Sequence, residues 1–239
     1  MNRDNRQHGF TLIELMLAMG FVSVLLIAIA MTVIQIGNIY NRGITLKDVN
    51  QAGRSLTSEL QRSINQTAPF SITDRYIKQD WGGRLCLGQY SYIWNYGKDI
   101  QTNDVLRLNV YDPVDSGQIR FVKVLDPNAS YCTKASTGKE YKDVIFSDAV
   151  ELLNVGQHNL AMHNFTIIAP ATAGDSKTGQ QLYSIEFMIG TNNQTALTYD
   201  TGEVTCLATG DKEVDKEADP SYCSINQFNI VVRAGNTIE

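Results

Sequence analysis

Apolar residues fall into three successive patterns along the chain. Residues 9–36 read GFTLIELMLAMGFVSVLLIAIAMTVIQI, and between positions 10 and 34 the single formal charge is Glu14. As a helix that run measures roughly 38 Å at ~1.5 Å per residue, enough to cross a ~30 Å hydrocarbon core with some tilt. A lone lipid-exposed segment must be helical, because its backbone has to satisfy its own hydrogen bonds. Over residues 38–66 the apolar positions Ile39, Leu46, Val49, Gly53, Leu56, Leu60 and Ile64 recur at helical steps, with Arg42, Lys47, Arg54, Glu59 and Arg62 mostly opposite. The membrane helix is therefore predicted to continue as an amphipathic one whose stripe packs on its own domain, and to break before Pro69. Gly43 and Gly53 weaken that helix by up to ~1 kcal/mol each.

Beyond residue 70 the period shortens to two. Leu106, Leu108 and Val110 share one face of 104–111, and 119–125 follows across Asp112-Pro113 and Ser116-Gly117, which predicts an antiparallel hairpin. Residues 165–169 form a short strand ending at Pro170. In 182–189, Tyr183, Ile185, Phe187 and Ile189 alternate with Ser184 and Glu186, and 228–232 is the expected partner. Residues 144–155 fit either a short helix capped by Ser147 or Asp148, or a strand. Strands gathered after one long N-terminal helix predict an α+β fold with that helix packed on an antiparallel β-sheet. The chain then divides into a short flank at 1–9, a transmembrane half of the stem helix at 10–36, an amphipathic half at 37–67 and a globular β-rich head at 68–239.

Charge orients this layout. Arg3 and Arg6 outweigh Asp4 in the flank, which favours a cytoplasmic N-terminus and an exported remainder, a single-pass arrangement. A signal peptide would carry an apolar core of about 7–15 residues and a small-residue cleavage site, whereas this segment is longer and runs on into an amphipathic helix. It is expected to stay on the mature protein. Glu14 is the costly position, since a carboxylate in a membrane segment costs a few kcal/mol unless it snorkels to the headgroups or finds a partner.

The run Gly9-Phe10-Thr11-Leu12-Ile13-Glu14-Leu15 resembles the prepilin processing site of type IV pilins and type II secretion pseudopilins, in the Gly before the cut, the Phe after it, and the Glu. The resemblance covers about thirty N-terminal residues. It implies that 1–9 is a leader removed after Gly9 by a prepilin peptidase at the bacterial cytoplasmic membrane, and that Phe10 is N-methylated. It also implies that Glu14 pairs with the N-terminal ammonium of a neighbouring subunit during assembly, giving a reason to keep a charge where charge is expensive. Many type IV pilins have a helix-kinking proline where this chain has Met31, so local melting of the stem is not expected to follow. The implied fold is pilin-like, with the later stem in a sheet's concave face. The implied partners are the peptidase, other pilin or pseudopilin subunits, an inner-membrane assembly platform and, before assembly, lipid. The pattern Leu56-x-x-Glu59-Leu60-x-Arg62-x-Ile64 and the size of the head are similar to PilW-type minor pilins or GspJ-type minor pseudopilins.

Composition narrows the remaining chemistry. A net charge of −5, with Lys and Arg scattered, gives no footprint for nucleic acid, and none is expected as a partner. All four cysteines follow the membrane segment, which suggests two disulfides in an exported head. Three connectivities are possible; Cys86–Cys132 and Cys206–Cys223 are favoured because neighbouring pairs close short loops around turn sequences. Asp211, Glu213, Asp215, Glu217 and Asp219 concentrate oxygen ligands within the Cys206–Cys223 loop, a candidate Ca²⁺ site, but Lys212 and Lys216 interrupt the run and it lacks an EF-hand glycine. A solvated acidic loop is the preferred reading. His158 and His163 are five apart with no third ligand nearby, so no metal is expected there. Residues 174–179, GDSKTG, fit neither a phosphate loop nor a nucleophile elbow. Trp81, Tyr90, Tyr92, Trp94 and Tyr96 fill the edge of the sheet if buried, the preferred reading, or, if exposed, offer a surface for a glycan.

No nucleophile–base set, metal signature or phosphate loop stands out, so an enzyme is not expected, and no cofactor is assigned. The leading expectation is a structural, minor subunit of a type IV pilus or secretion pseudopilus; the alternative is a pilus-associated adhesin or DNA-uptake binding subunit.

Overall fold

The structure, a computed structural model, describes residues 11–100, 119–134, 141–142, 144, 149–153, 159–169, 179–200, 203–207 and 222–235. The expected strand at 104–111 and both caps considered for 144–155 lie outside these. Two compact units result, Met1–Asn41 and Arg42–Glu239.

Helix α1 (Leu12–Asn65) is continuous, as the joined apolar and amphipathic patterns predict, and is followed by a one-turn helix α2 (Ile72–Arg75). Large apolar residues of 12–36 are exposed throughout, from 44 % at Leu25 to 78 % at Leu12. Among the described residues α1 is the one helix long and apolar enough to cross a membrane. In the second unit its buried face is Thr45, Val49, Ala52, Gly53, Leu56, Leu60, Ser63 and Ile64. Leu46 is 46 % exposed and Ile39, in the first unit, 73 %, so the buried stripe differs from the predicted one at its start. The reason is angular: neighbouring helix positions differ by about 100°, and Thr45 shares a face with Val49 and Ala52 while Leu46 does not. Burying Leu56, Leu60 and Ile64 contributes roughly 1.5–3 kcal/mol each.

The strands form three antiparallel sheets where the sequence suggested one. The largest has the order β1 (Tyr76–Gln79), β2 (Gly82–Leu87), β3 (Tyr90–Asn95), β4 (Phe121–Leu125), β5 (Ala149–Glu151). A second has β7 (Gln181–Thr191) between β10 (Ile225–Ala234) and β6 (Leu160–Ile168); β8 (Leu197–Asp200) and β9 (Glu203–Cys206) make a two-stranded ribbon. Short helix α3 (Gly97–Ile100) follows β3. The alternation of β7 is as predicted, with Tyr183, Ile185, Phe187 and Ile189 all buried, and Phe228 to Val232 lie opposite Phe187 to Tyr183. The strand predicted at 165–169 starts earlier, at Leu160, and 149–151 within the ambiguous stretch is strand. The aromatic segment is buried at Tyr92, Trp94 and Tyr96, as preferred, but its place is corrected: Tyr92 and Trp94 lie on β3, the central strand of the five-stranded sheet and not its edge, Tyr96 follows that strand, and Tyr90 stays exposed.

One core joins the helix to both larger sheets. The stripe of α1 packs with Leu85, Leu87, Tyr92, Trp94, Phe121, Phe165, Ile185 and Phe187. Aromatic contacts carry it between sheets: Trp94 to Phe165 at 4.5 Å, Phe165 to Phe187 at 6.2 Å and Phe187 to Phe228 at 5.2 Å between ring centroids. Phe228 closes on α1 at Gly53, where a Cβ would lie 2.0 Å from the ring. A second core covers the other face of the large sheet with Cys86, Ile93, Val122, Val124, Tyr131 and Val144. In it the buried Arg84 donates from Nη1 to the carbonyls of Tyr131, 3.0 Å, and Lys142, 2.8 Å.

Polar contacts lock these layers. Glu59 on α1 accepts from Lys123 Nζ at 2.6 Å and Tyr92 Oη at 2.9 Å on one oxygen, and from Arg62 at 2.5 Å on the other. Burial pushes the Glu59 carboxyl up, but the Lys123 and Tyr92 hydrogen bonds outweigh it and hold the pKa below the ordinary value. Buried Asp126 accepts from Ser91 Oγ at 2.7 Å, the amides of Ser130 and Tyr131 at 2.8 and 3.0 Å, and Ser130 Oγ at 2.9 Å. These bonds cap the 3-10 turn Ser130–Cys132, and Cys132 is bonded to Cys86.

Two predictions follow from this packing. Gly53→Ala gains up to ~1 kcal/mol of helix propensity but forces Phe228 away from a packed site, which costs about 1–3 kcal/mol, so thermal unfolding should move down. In a Phe228→Leu background the same change should be neutral or stabilising; the same loss in both backgrounds would show that this contact is not the cause. The second concerns acid. Burial raises the Asp126 pKa, yet its four hydrogen bonds bring it below the ordinary value. A carboxylate with a depressed folded pKa stabilises above the unfolded pKa, and that contribution is lost as pH falls through the folded value. Glu151, whose pKa burial pushes up, acts with the opposite sign. Below about pH 4 the melting temperature should therefore fall less steeply in Asp126→Asn than in the parent; parallel curves would contradict this.

Candidate functional site

Two regions hold candidate chemistry, the start of the stem and a pocket in the head. Gly9 and Phe10 lie outside the described residues. Thr11, directly after them, is the N-cap of α1. Its backbone N–H and Oγ donate to Glu14 Oε2 at 3.0 and 2.7 Å, while the Glu14 N–H points to Thr11 Oγ at 3.4 Å. This is a capping box, in which the cap and the third helical residue satisfy each other's polar groups. Its sequence signature, Thr-x-x-Glu before an apolar run, was present in 11–14 and gives Glu14 a local role that the family resemblance does not require. Further along, Ser23 and Thr32 hydroxyls donate to the carbonyls of Met19 and Ala28, so both are satisfied within the helix.

Cys86 bonds Cys132 and Cys206 bonds Cys223. The first disulfide ties β2 to the 3-10 turn after β4; the second ties the end of β9 to the residues before β10. The acidic candidates Asp211, Glu213, Asp215, Glu217 and Asp219 lie outside the described residues, as does His158. Among the described residues no group of three or more His, Cys, Asp or Glu side chains could hold a metal.

His163 is where the structure adds most. It sits at a register shift in β6: Met162 pairs with Ile189 and Asn164 with Met188, leaving His163 as the extra residue. A β-bulge re-aims the side chain it carries. The visible signal in the sequence is that Met162 and Phe165, both core residues, are three apart where strict alternation would need two or four. His163 is 8 % exposed, its Nε2 lies 3.2 Å from the Thr191 carbonyl, and among the described residues its Nδ1 has no hydrogen-bond partner. A nitrogen facing a carbonyl must carry the proton, so Nδ1 presents a lone pair. Burial holds the imidazole pKa down to about 4, against the smaller opposing effect of the Thr191 bond, and the ring is neutral at ordinary pH.

Around it lies an open cavity of about 480 Å³, lined by residues of β1, α3, β6, β8 and β9, among them Lys78, Tyr96, Gly97, Lys98, Asn164 and Tyr199. Lys78 Nζ reaches Thr166 Oγ at 3.2 Å and Asn164 Oδ1 at 3.4 Å across the mouth. The Tyr199 ring stands 6.5 Å from the imidazole.

Comparison with protein-family models, with curated proteins and with solved structures finds no match for this chain.

The capping box gives a direct test. Thr11→Val keeps the shape of the side chain but removes its oxygen, so the first turn of α1 should lose about 1 kcal/mol and its amides should exchange roughly fivefold faster in full-length protein in micelles. Unchanged exchange would show that the hydroxyl does not hold the helix start.

Proposed function

We propose that the chain is a structural subunit of a type IV pilus or type II secretion pseudopilus, cleaved after Gly9, methylated at Phe10, and assembled through its N-terminal helix. The observation that carries this reading is α1 itself. Its later part is gripped by a disulfide-bonded head, while the large side chains of 12–36 are exposed on every side. An apolar face of that extent requires lipid or other helices as its environment. A helix that must be first in one and then among the others is the physical requirement of a filament drawn out of a membrane. The motif from Gly9 to Leu15 supplies the processing step, and the net charge and absent metal signature give no competing activity.

Glu14 has two uses on this reading. In the single chain its carboxylate is occupied by Thr11. In a filament the N-terminal ammonium of a neighbour offers a stronger, oppositely charged partner at the same helix end, and its charge is worth most in a low-dielectric surrounding. Subunits whose stagger leaves the carboxylate unpaired would be disfavoured, so the acid sets register.

Intact mass tests the processing. Protein from cells with a prepilin peptidase should lack residues 1–9 and carry one added methyl group, and protein from cells without it should be full length; full-length mass in both would overturn the reading. A pair of variants tests the acid. Glu14→Gln keeps a side chain able to complete the capping box but has no charge, and Glu14→Ala removes both. Both should insert in membranes and neither should enter filaments; normal incorporation of the Gln variant would show that charge pairing is not what Glu14 supplies.

A further inference from the structure

Strand β10 ends the three-stranded sheet on one side and leaves a long edge open. Hydrogen bonds at its two ends show which groups that edge presents. Just before β10, the Thr191 N–H donates to the Ser224 carbonyl at 3.0 Å, so even-numbered residues exchange backbone bonds with β7 and odd-numbered ones point away from it. The outward amides at either end are satisfied, Gln227 N–H by Asn226 Oδ1 at 2.9 Å and Gly235 N–H by the Thr67 carbonyl at 2.8 Å. Between them Asn229, Val231 and Arg233 turn N–H and C=O outward, and no strand among the described residues pairs with them.

Proteins blunt such edges with proline, lysine, a bulge or short length, because an open edge is a template for another strand. β10 has none of these. Its ten residues pair with β7 in unbroken register, and Arg233 is the one charge among them. The packing is unfinished in the same place: Phe228 and Ile230 on the α1 side are only partly buried, and Val231 on the opposite face is 67 % exposed. Water can satisfy the backbone groups but leaves this apolar surface bare. An added strand satisfies the first and covers the second.

The direction of α1 bears on what supplies that strand. Asn50 meets Asn226, Gly53 meets Phe228 and, just past the helix, Thr67 meets Gly235, so α1 and β10 run side by side in the same direction. Two copies paired antiparallel through β10 would point their α1 helices opposite ways, which chains anchored in one membrane from the same side cannot do. The occupant that fits is an extended segment of a different protein chain, apolar at alternate positions to meet Phe228 and Ile230, and acidic opposite Arg233.

We propose that β10 receives such a segment as an added antiparallel strand, the fourth member of the β6-β7-β10 sheet. Strand addition lies within the head and does not depend on filament formation; only the choice of a different chain over a second copy rests on the membrane anchor.

The test uses full-length ¹⁵N-labelled protein, disulfides intact, in detergent micelles, with a synthetic peptide of residues 181–191, whose alternation already suits the inner edge of β10. In the free protein the amides of Asn229, Val231 and Arg233 should exchange at least about tenfold faster than those of Phe228, Ile230 and Val232, which bond to β7. Saturating peptide should slow the odd set about tenfold and leave the even set unchanged. Peptide N-methylated at Ser184, Glu186 and Met188, the amides that face β10 when the apolar residues face α1, should give no protection; methylated instead at Ile185 and Phe187, it should protect as the parent peptide does. Val231→Pro loses no bond to β7, since that N–H points outward, and should keep the fold while abolishing protection at Asn229 and Arg233. Four results would each overturn the proposal: odd amides already slow in the free chain, no slowing by the peptide, equal slowing by the peptide methylated at Ser184, Glu186 and Met188, or slowing that grows with protein concentration alone, which would make a second copy the occupant.

Discussion

The structure depends on one helix having to satisfy two different surroundings. Its later turns carry an apolar stripe that both larger sheets of the head bury, and its earlier turns are apolar on all sides and exposed. A sheet can cover one face of a helix but not its whole circumference, so an all-round apolar helix requires a continuous apolar environment or many neighbours. Lipid meets that requirement in a membrane, and the proposed assembly would meet it with neighbouring helices. The head, in turn, is built to hold its part of the helix firmly: Phe228 presses on Gly53, and Glu59 joins α1 to Lys123 and Tyr92 across the core.

The same residues that hold the helix organise the head. Trp94, Phe121, Phe165, Phe187 and Phe228 form a run of ring contacts from the five-stranded sheet to the three-stranded one and on to α1. Behind the large sheet a second core is closed by the Cys86–Cys132 bond and by Asp126, which gathers the backbone amides of the turn that carries Cys132. Strands β2 to β4 are thus buried on both faces, and the head gains stability from covalent and polar ties in addition to apolar area.

How far this was legible in the sequence follows from which faces are buried. The strand at 182–189 has one buried face and one wetter face, so its alternation stood out, as did the helical step from Val49 to Ile64. Residues 82–95 were not legible as strands because two cores bury their alternate faces: Leu85, Leu87, Tyr92 and Trp94 enter one, Cys86 and Ile93 the other, and no polar period remains. The division into several sheets depends on long-range pairing that local pattern does not encode. At the candidate sites, Glu14 was marked by its cost in an apolar run, but its bond to Thr11 was readable only as a capping signature. His163 was dismissed as half of a poor metal pair; the bulge that turns it toward the pocket becomes evident only once β6 is paired with β7.

The central claim is that the exposed turns of α1 leave lipid and become neighbours of other such helices. A spin label at position 24, introduced as Val24→Cys in otherwise native full-length chain, reports both states. In membranes before assembly the label should be mobile and accessible to lipid-soluble oxygen. In fibres sheared from the cell and freed of lipid, the label should be immobilised and shielded from oxygen, as packing among side-by-side helices with interaxial spacing near ~10 Å requires. Labelled chain recovered only from lipid, mobile and oxygen-accessible in every cell fraction, would contradict the account.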